Sequence, residues 1–242
     1  MITRERWVKA QNSERSHIAF DRSTAERNAT VIIEQIFKDK LGDFGGKKIV
    51  VVGGGSYPEI CFTPGVNGYS IDPLNDVYDQ NHKAEFPNIN WIASAFEDWQ
   101  TELIFDEVWF FNVLQHVIDP KACLEKAGKI ASVVRVFEPV DTPTNIECPH
   151  SLGRDLFPEC YEGLEVENFE GGSIPNFHGA NCVYFSYNTG VSAPPTLKIV
   201  QQPDDLPPQE IETVVIEAEK PEVPAPAPKK PRRRRRTKKT TS

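Results

Sequence analysis

Four short stretches carry residue types that could hold a small ligand and act on it, and each begins where an apolar run of β-forming residues ends. Val50-Val51-Val52 runs into Gly53-Gly54-Gly55-Ser56. Successive glycines permit turns closed to other residues and let the backbone come close to a ligand. Tyr69-Ser70-Ile71 runs into Asp72. That carboxylate stands about twenty residues beyond the first glycine, where it can accept hydrogen bonds from both hydroxyls of a ribose. Ile89 to Ile92 leads to Ala93-Ser94-Ala95-Phe96-Glu97, in which small residues leave room for a flat ring beside an aromatic and an acid. Val108 to Phe111 leads to Asn112-Val113-Leu114-Gln115-His116, and then to Asp119-Pro120, the pattern of a helix N-cap followed by proline at the first helical position. Two histidines lie in or after this last exit, His116 and His150, the latter in Cys148-Pro149-His150-Ser151.

Side chains at four strand ends can meet only if the strands lie side by side and point the same way. From Lys48 to about Ala127 the pattern alternates strand, turn and helix, which predicts a parallel sheet covered by helices. Ile130 to Phe137 adds a fifth strand. Leu164 to Phe169 and Cys182 to Tyr187 form a closing pair around Gly171-Gly172-Ser173, and two strands with no helix between them predict an antiparallel edge. The expected architecture is therefore α/β: a Rossmann-like, mostly parallel, seven-stranded sheet flanked by helices. A helix is expected over Leu152 to Tyr161. Residues up to about Phe44 read as helical, with Trp7, Ala10 and Glu14 on one face and Val31, Ile32, Ile36, Phe37 and Leu41 at helical spacing. The organisation is a helical cap (1–47), the Rossmann-like domain (48–188), a proline-rich acidic linker (189–228) and a basic tail (229–242), the last two expected to be disordered.

Composition narrows the functions. The net charge of -8 conceals an asymmetry: Lys229 to Lys239 holds nine of the 27 basic residues, so the rest carries 18 against 35 acids. An acidic body is a poor nucleic-acid surface, whereas the tail can hold phosphate backbones or other polyanions without reading sequence. No apolar stretch approaches the roughly 20 residues needed to span a bilayer. Five dispersed cysteines without a Cys-x-x-Cys pair argue against a disulfide framework and a zinc ribbon, and fit reduced thiols in the cytoplasm. No metal site is expected, since no combination of Cys148, His150, Cys160, His178 and Cys182 has zinc-finger spacing. The glycine turn lacks the Gly-Lys-Ser/Thr ending of a phosphate loop, and Pro58 stands where a dinucleotide fingerprint has its third glycine. No Gly-x-Ser-x-Gly hydrolase elbow occurs.

Taken together, the four strand ends resemble the class I S-adenosylmethionine-dependent methyltransferases, particularly their small-molecule branch, over roughly Trp7 to Tyr187. The resemblance implies that Gly53, Gly54 and Gly55 cradle the methionine end of the cofactor and that Asp72 holds its ribose. It implies that Ser94, Ala95 and Phe96 contact adenine and that the wall from Asn112 to His116 faces the reactive methyl. Trp7-x-x-Ala10-Gln11-x-x-Glu14 is similar to the N-terminal helix that caps the pocket in some relatives. The implied reaction is displacement of a sulfonium methyl by an unidentified small-molecule acceptor, with His116 or His150 as base where the acceptor must lose a proton. Val51, Tyr57 and Ser94 depart from the residues usual at their positions, and Pro64-Gly65 cuts short the helix after the glycine turn. The departures at Val51 and Tyr57 support an alternative: a catalytically inactive, methyltransferase-like binding module tethered to nucleic acid or an assembly by its Arg-rich tail. A nicotinamide-dependent oxidoreductase shares Gly53 and Asp72 but leaves Asn112 to Pro120 unexplained.

Overall fold

The computed structural model describes residues 1–17, 21–153, 165–171 and 179–191. Seven strands lie within them: β1 (Lys48–Val52), β2 (Asn67–Ile71), β3 (Ile89–Ile92), β4 (Phe105–Phe111), β5 (Ala131–Val140), β6 (Glu167–Phe169) and β7 (Asn181–Asn188). They form one sheet in the order β3-β2-β1-β4-β5-β7-β6. Its first five strands are parallel, and β7 runs antiparallel to both β5 and β6. The chain moves outward from β1 to β3 and then returns to the other side of β1 with β4. That reversal opens a crevice at the C-terminal ends of β1 and β4, where open α/β sheets take their ligands.

Within β4, Val108 to Phe111 is an unbroken apolar run because the strand sits between β1 and β5 with both of its faces covered. Phe105, Val108 and Phe110 join Val50, Val52, Val134 and Val136 on the face packed by helix α4 (Pro120–Ile130). Trp109 and Phe111 join Ile49, Val51 and Phe137 on the opposite face, against Ile32, Ile33, Ile36 and Phe37. At roughly 1.5 to 3 kcal/mol for each buried large apolar side chain, these two layers dominate the stability of the sheet. Register decides which layer a residue enters: pairing Val50 with Val108 and Val51 with Trp109 keeps the alternation in step.

Two acids precede that run in β4: Asp106, which accepts from Lys48 N at 2.7 Å, and Glu107. Glu107 is buried, and its carboxylate accepts hydrogen bonds from Lys47 Nζ at 2.7 Å, Arg135 Nε at 2.7 Å and Trp109 Nε1 at 2.8 Å. Arg135 also pairs with Asp39 at 2.9 Å and lies over the Phe37 ring.

The N-terminal segment is helical but interrupted. α1 (Arg4–Glu14) is capped by Thr3, and α2 (Arg22–Thr30) is capped by Asp21 and continues into a π-helical turn over Val31–Ile36. The crossover from β1 to β2 holds only one 3-10 turn, Glu59–Phe62, as the sequence anticipates from Pro64-Gly65. The short helix α3 (Gln80–Ala84) joins β2 to β3. Gly153 closes an irregular stretch, and the helix expected from Leu152 falls from residue 154 onward outside the described residues, as do the linker from residue 192 and the basic tail. No helix among the described residues is long and apolar enough to cross a membrane.

Candidate functional site

A cavity of about 280 Å³ opens over the C-terminal ends of β1 to β4. Ligand sites run from roughly 300 to 1,000 Å³, so this one lies near the small end. Its floor is the glycine turn. Gly53 adopts φ +65° and Gly55 φ +63°, the left-handed region that a side chain makes costly. Gly53 is also packed: a Cβ there would stand 2.2 Å from Val113 Cγ2, whereas a Cβ on Gly55 would meet nothing within 4 Å. The backbone therefore meets the β4 turn at one glycine and leaves open space at the other.

Asp72 leaves β2 on the neighbouring side of the floor. It is 6% exposed, and its oxygens accept from Leu74 N at 2.7 Å, Gly55 N at 3.1 Å and Tyr78 Oη at 3.3 Å. A carboxylate has about four acceptor positions, so one remains for a ligand. Burial pushes its pKa up, against the pull of the Leu74 and Gly55 amides, and the Glu14 charge adds to the rise. That Glu14 influences Asp72 places α1 electrically within the same site.

The β3 exit contributes Ala95, Phe96 and Glu97 to the lining. Glu97 Oε1 accepts from Ile118 N at 2.7 Å and Asp119 N at 3.3 Å, tying this exit to the turn before α4. Asp119 caps α4 by accepting from the amides of Lys121 and Ala122, with Pro120 at the first position, as its sequence predicts. The β4 exit contributes Asn112, Val113, His116 and Val117. Asn112 has φ +52°, a conformation that asparagine tolerates better than most side chains, and its Oδ1 accepts from Gln115 Nε2 at 2.6 Å. Beneath this turn Glu138 is fully buried, and one of its oxygens accepts from both Val113 N at 2.9 Å and Leu114 N at 3.0 Å.

α1 forms the roof, presenting Trp7, Gln11 and Glu14. It is held down by Ile2 N on Ile118 O at 3.0 Å, Arg6 Nη1 on Ile146 O at 2.7 Å and Ser13 Oγ on Glu147 Oε1 at 3.0 Å. The face shared by Trp7, Ala10 and Glu14 is the face turned inward, with Trp7 and Ala10 buried.

The two histidines singled out from sequence are held differently. His116 Nδ1 lies 2.5 Å from Glu14 Oε1 and 3.1 Å from Glu147 O, and its Nε2 lies 4.0 Å from Cys148 Sγ. Burial opposes protonation of this ring, but contact with Cys148 and the hydrogen bond and charge of Glu14 prevail and raise its pKa to about 10. At neutral pH it is an imidazolium, which can donate a hydrogen bond or offset negative charge but has no lone pair with which to take a proton. His150 stands outside the lining, with Nε2 on Val117 O at 2.9 Å. Burial lowers its pKa.

Of the residues expected at a cofactor site, Gly53, Gly55, Asp72, Ala95, Phe96 and Asn112 line one cavity. Gly54 and Ser94 do not: Gly54 is packed against Pro58 and Val51, and the Ser94 hydroxyl donates to Ala95 O at 2.9 Å. Two departures from the expected pattern leave the cavity clear. Val51 is buried in the layer on the far side of the sheet, and Tyr57 packs on His82 and Phe86. Tyr78 and Glu138 join the site without having been expected there. A signal existed for Glu138, an acid that follows the apolar pair Val136-Phe137, but none marked Tyr78 as a partner of Asp72. Among the described residues no group of three or more His, Cys, Asp or Glu side chains is placed to hold a metal ion.

The strand order, the antiparallel β7 and the cavity's position define the fold of the class I S-adenosylmethionine-dependent methyltransferases. The N-methyltransferase NodS from Bradyrhizobium japonicum WM9, crystallised with S-adenosyl-L-homocysteine, superposes with a TM-score of 0.55 at 14% identity, covering 76% of this chain and 99% of NodS. A second NodS crystal structure gives 0.53, also at 14% identity, covering 70% of this chain and 98% of NodS. The [4+2]-cyclase SpnF gives 0.52 at 9% identity, covering 69% of this chain and 81% of SpnF. No protein-family model matches the sequence, and no curated relative matches it.

Proposed function

We propose that this chain binds S-adenosylmethionine in the cavity over β1 to β4 and transfers its methyl group to a small-molecule acceptor. The observation that carries the reading is the meeting of the glycine turn and Asp72 on one floor, joined by the Gly55 N to Asp72 hydrogen bond. A side-chain-free floor beside a buried carboxylate with one acceptor position left fits an adenosine ribose; Ala95 and Phe96 fit a flat ring next to it. NodS, which shares the fold, was crystallised with the demethylated product of this cofactor.

When bound, the cofactor supplies an electrophilic methyl on a positively charged sulfur. The protein's work is then alignment and exclusion of water, which can supply about 7 kcal/mol or more of the barrier reduction. Asn112, Val113 and His116 form the wall beside the ligand, and the tethered α1 closes the roof against solvent. Because His116 is already protonated, its role is to balance the charge of Glu14 and of an anionic acceptor, and acceptors that need no base fit best. Unpaired thiols at Cys61, Cys123, Cys148 and Cys182 support a reducing, cytoplasmic setting.

The protonated state of His116 and the turning of His150 onto Val117 O also favour a second reading, an inactive binding module with the same ligand. Calorimetry with S-adenosylmethionine, its demethylated product and NAD tests both. No heat with either sulfur nucleoside at millimolar concentration would sink them, and binding without methyl transfer to any member of an acceptor library would favour the second. Polyanion contact through Lys229 to Lys239 is tested separately by deleting 229–242; salt-sensitive nucleic-acid retention that survives the deletion would refute it.

A further inference from the structure

Glu138 lies within β5 between Val136-Phe137 and Pro139-Val140, all buried, and is itself 0% exposed. Its Oε1 alone serves the amides of Val113 and Leu114, while its Oε2 is buried with no hydrogen-bond partner among the described residues. The two amides follow directly on Asn112, whose positive φ begins the wall of the cavity. A carboxylate with one oxygen uncompensated in an apolar layer strongly disfavours its own charge. The facing titratable groups are His116, from the same turn, and Cys182, from β7; of these only the His116 cation favours ionisation of Glu138.

We propose that Glu138 is a positioning residue whose carboxyl clamps the Val113 and Leu114 amides, holding the Asn112 wall closed while protonated and releasing it toward water on ionisation. The functional arm of this proposal rests on the cofactor reading above; the structural arm does not. Burial moves the Glu138 pKa from 4.5 up to about 7, against the two amide bonds and the His116 charge. The sign follows: a pKa raised in the closed state means that closure is favoured below the ordinary value and progressively lost as pH climbs to about 7 and flattens beyond it. If opening restores the ordinary value, the opening constant should rise roughly tenfold between about pH 6 and 8.

Amide hydrogen exchange on the full chain tests the clamp without any ligand. Protection of Val113 and Leu114, corrected for intrinsic exchange, should fall roughly tenfold between about pH 6 and 8 in the native protein. It should stay flat in Glu138→Gln, which retains one carbonyl oxygen for both amides and cannot ionise. Equal pH dependence in both proteins, or none in either, overturns the titrating clamp. Exchange repeated with S-adenosylhomocysteine, its binding followed by calorimetry, reads the functional arm: while opening stays rare the affinity itself should hardly move, but a ligand that needs the closed wall should raise the protection of Val113 and Leu114. Binding that leaves their protection unchanged would show that the clamp does not govern the wall. Absence of binding at every pH would refute the cofactor reading instead, leaving the exchange result to decide the clamp.

Discussion

Replacing Asp72 by asparagine separates the two duties that the structure assigns to this carboxylate. Asparagine has nearly the same shape but only one acceptor oxygen. If that oxygen takes the place of Oδ2, it can still accept from Gly55 N and Tyr78 Oη, and the amide nitrogen then faces Leu74 N, donor against donor. If it takes the place of Oδ1, two contacts suffer instead of one, so the first orientation is favoured. The folding cost is one buried amide left unsatisfied, about 1 to 3 kcal/mol. The ligand cost is separate: a hydroxyl bonded to a charged acceptor contributes about 1.5 to 3 kcal/mol, so S-adenosylhomocysteine affinity should drop about 10- to 150-fold. Denaturant unfolding without ligand measures the first quantity, and calorimetry on protein shown to be folded measures the second. Affinity within twofold of the native protein would refute the placing of a ligand hydroxyl at Asp72. Unchanged stability would refute the hydrogen bonding described for the floor.

Gly53→Ala must accept φ +65° and a Cβ 2.2 Å from Val113 Cγ2, a combined cost of about 2 to 4 kcal/mol; adding Val113→Ala should recover part of that loss in denaturant melts. The His116 ring should titrate near 10 by NMR, and Glu14→Gln should move the midpoint down toward 6.5. Since the folded pKa is the higher one, the stabilisation from this group is complete below about 6.5 and disappears as pH rises toward 10. A midpoint that ignores the Glu14 change would show that the carboxylate does not hold the proton there. Glu107→Gln leaves Arg135 to Asp39 alone and Lys47 to solvent, and chemical denaturation should register a loss of about 1 to 3 kcal/mol; no loss would mean that the network is dispensable.

The sheet is legible in the sequence because each central strand holds a short apolar run, and because glycine or asparagine marks the exits of β1 and β4. Val108 to Phe111 and Asp119-Pro120 show this most clearly: burial on both faces requires the run, and helix capping requires the dipeptide. Asp72 was legible for a related reason, a lone acid where an apolar strand stops. Gly54 and Ser94 look like their neighbours yet stay out of the lining, since adjacency in sequence does not say which of two successive residues faces a cavity. The short β6 and the extra residues at the ends of β4 and β5 were blurred because pairing partners, not local pattern, decide where a strand stops.

Residue types and periodicity alone determined that this chain builds a mostly parallel sheet with polar groups gathered at its strand ends, since those features arise from local burial and turn chemistry. Only the tertiary structure decided what those groups do to one another. Cys148 and Glu14 are both remote from His116 in sequence, yet one lies 4.0 Å and the other 2.5 Å from its ring once the chain folds, and together they raise the pKa of a histidine expected as a base. Glu138 reads as an ordinary acid until two amides from another strand's exit close over it and water is shut out. Charge states inside a fold depend on desolvation and on partners brought from far along the chain, and neither is written in the spacing of residues.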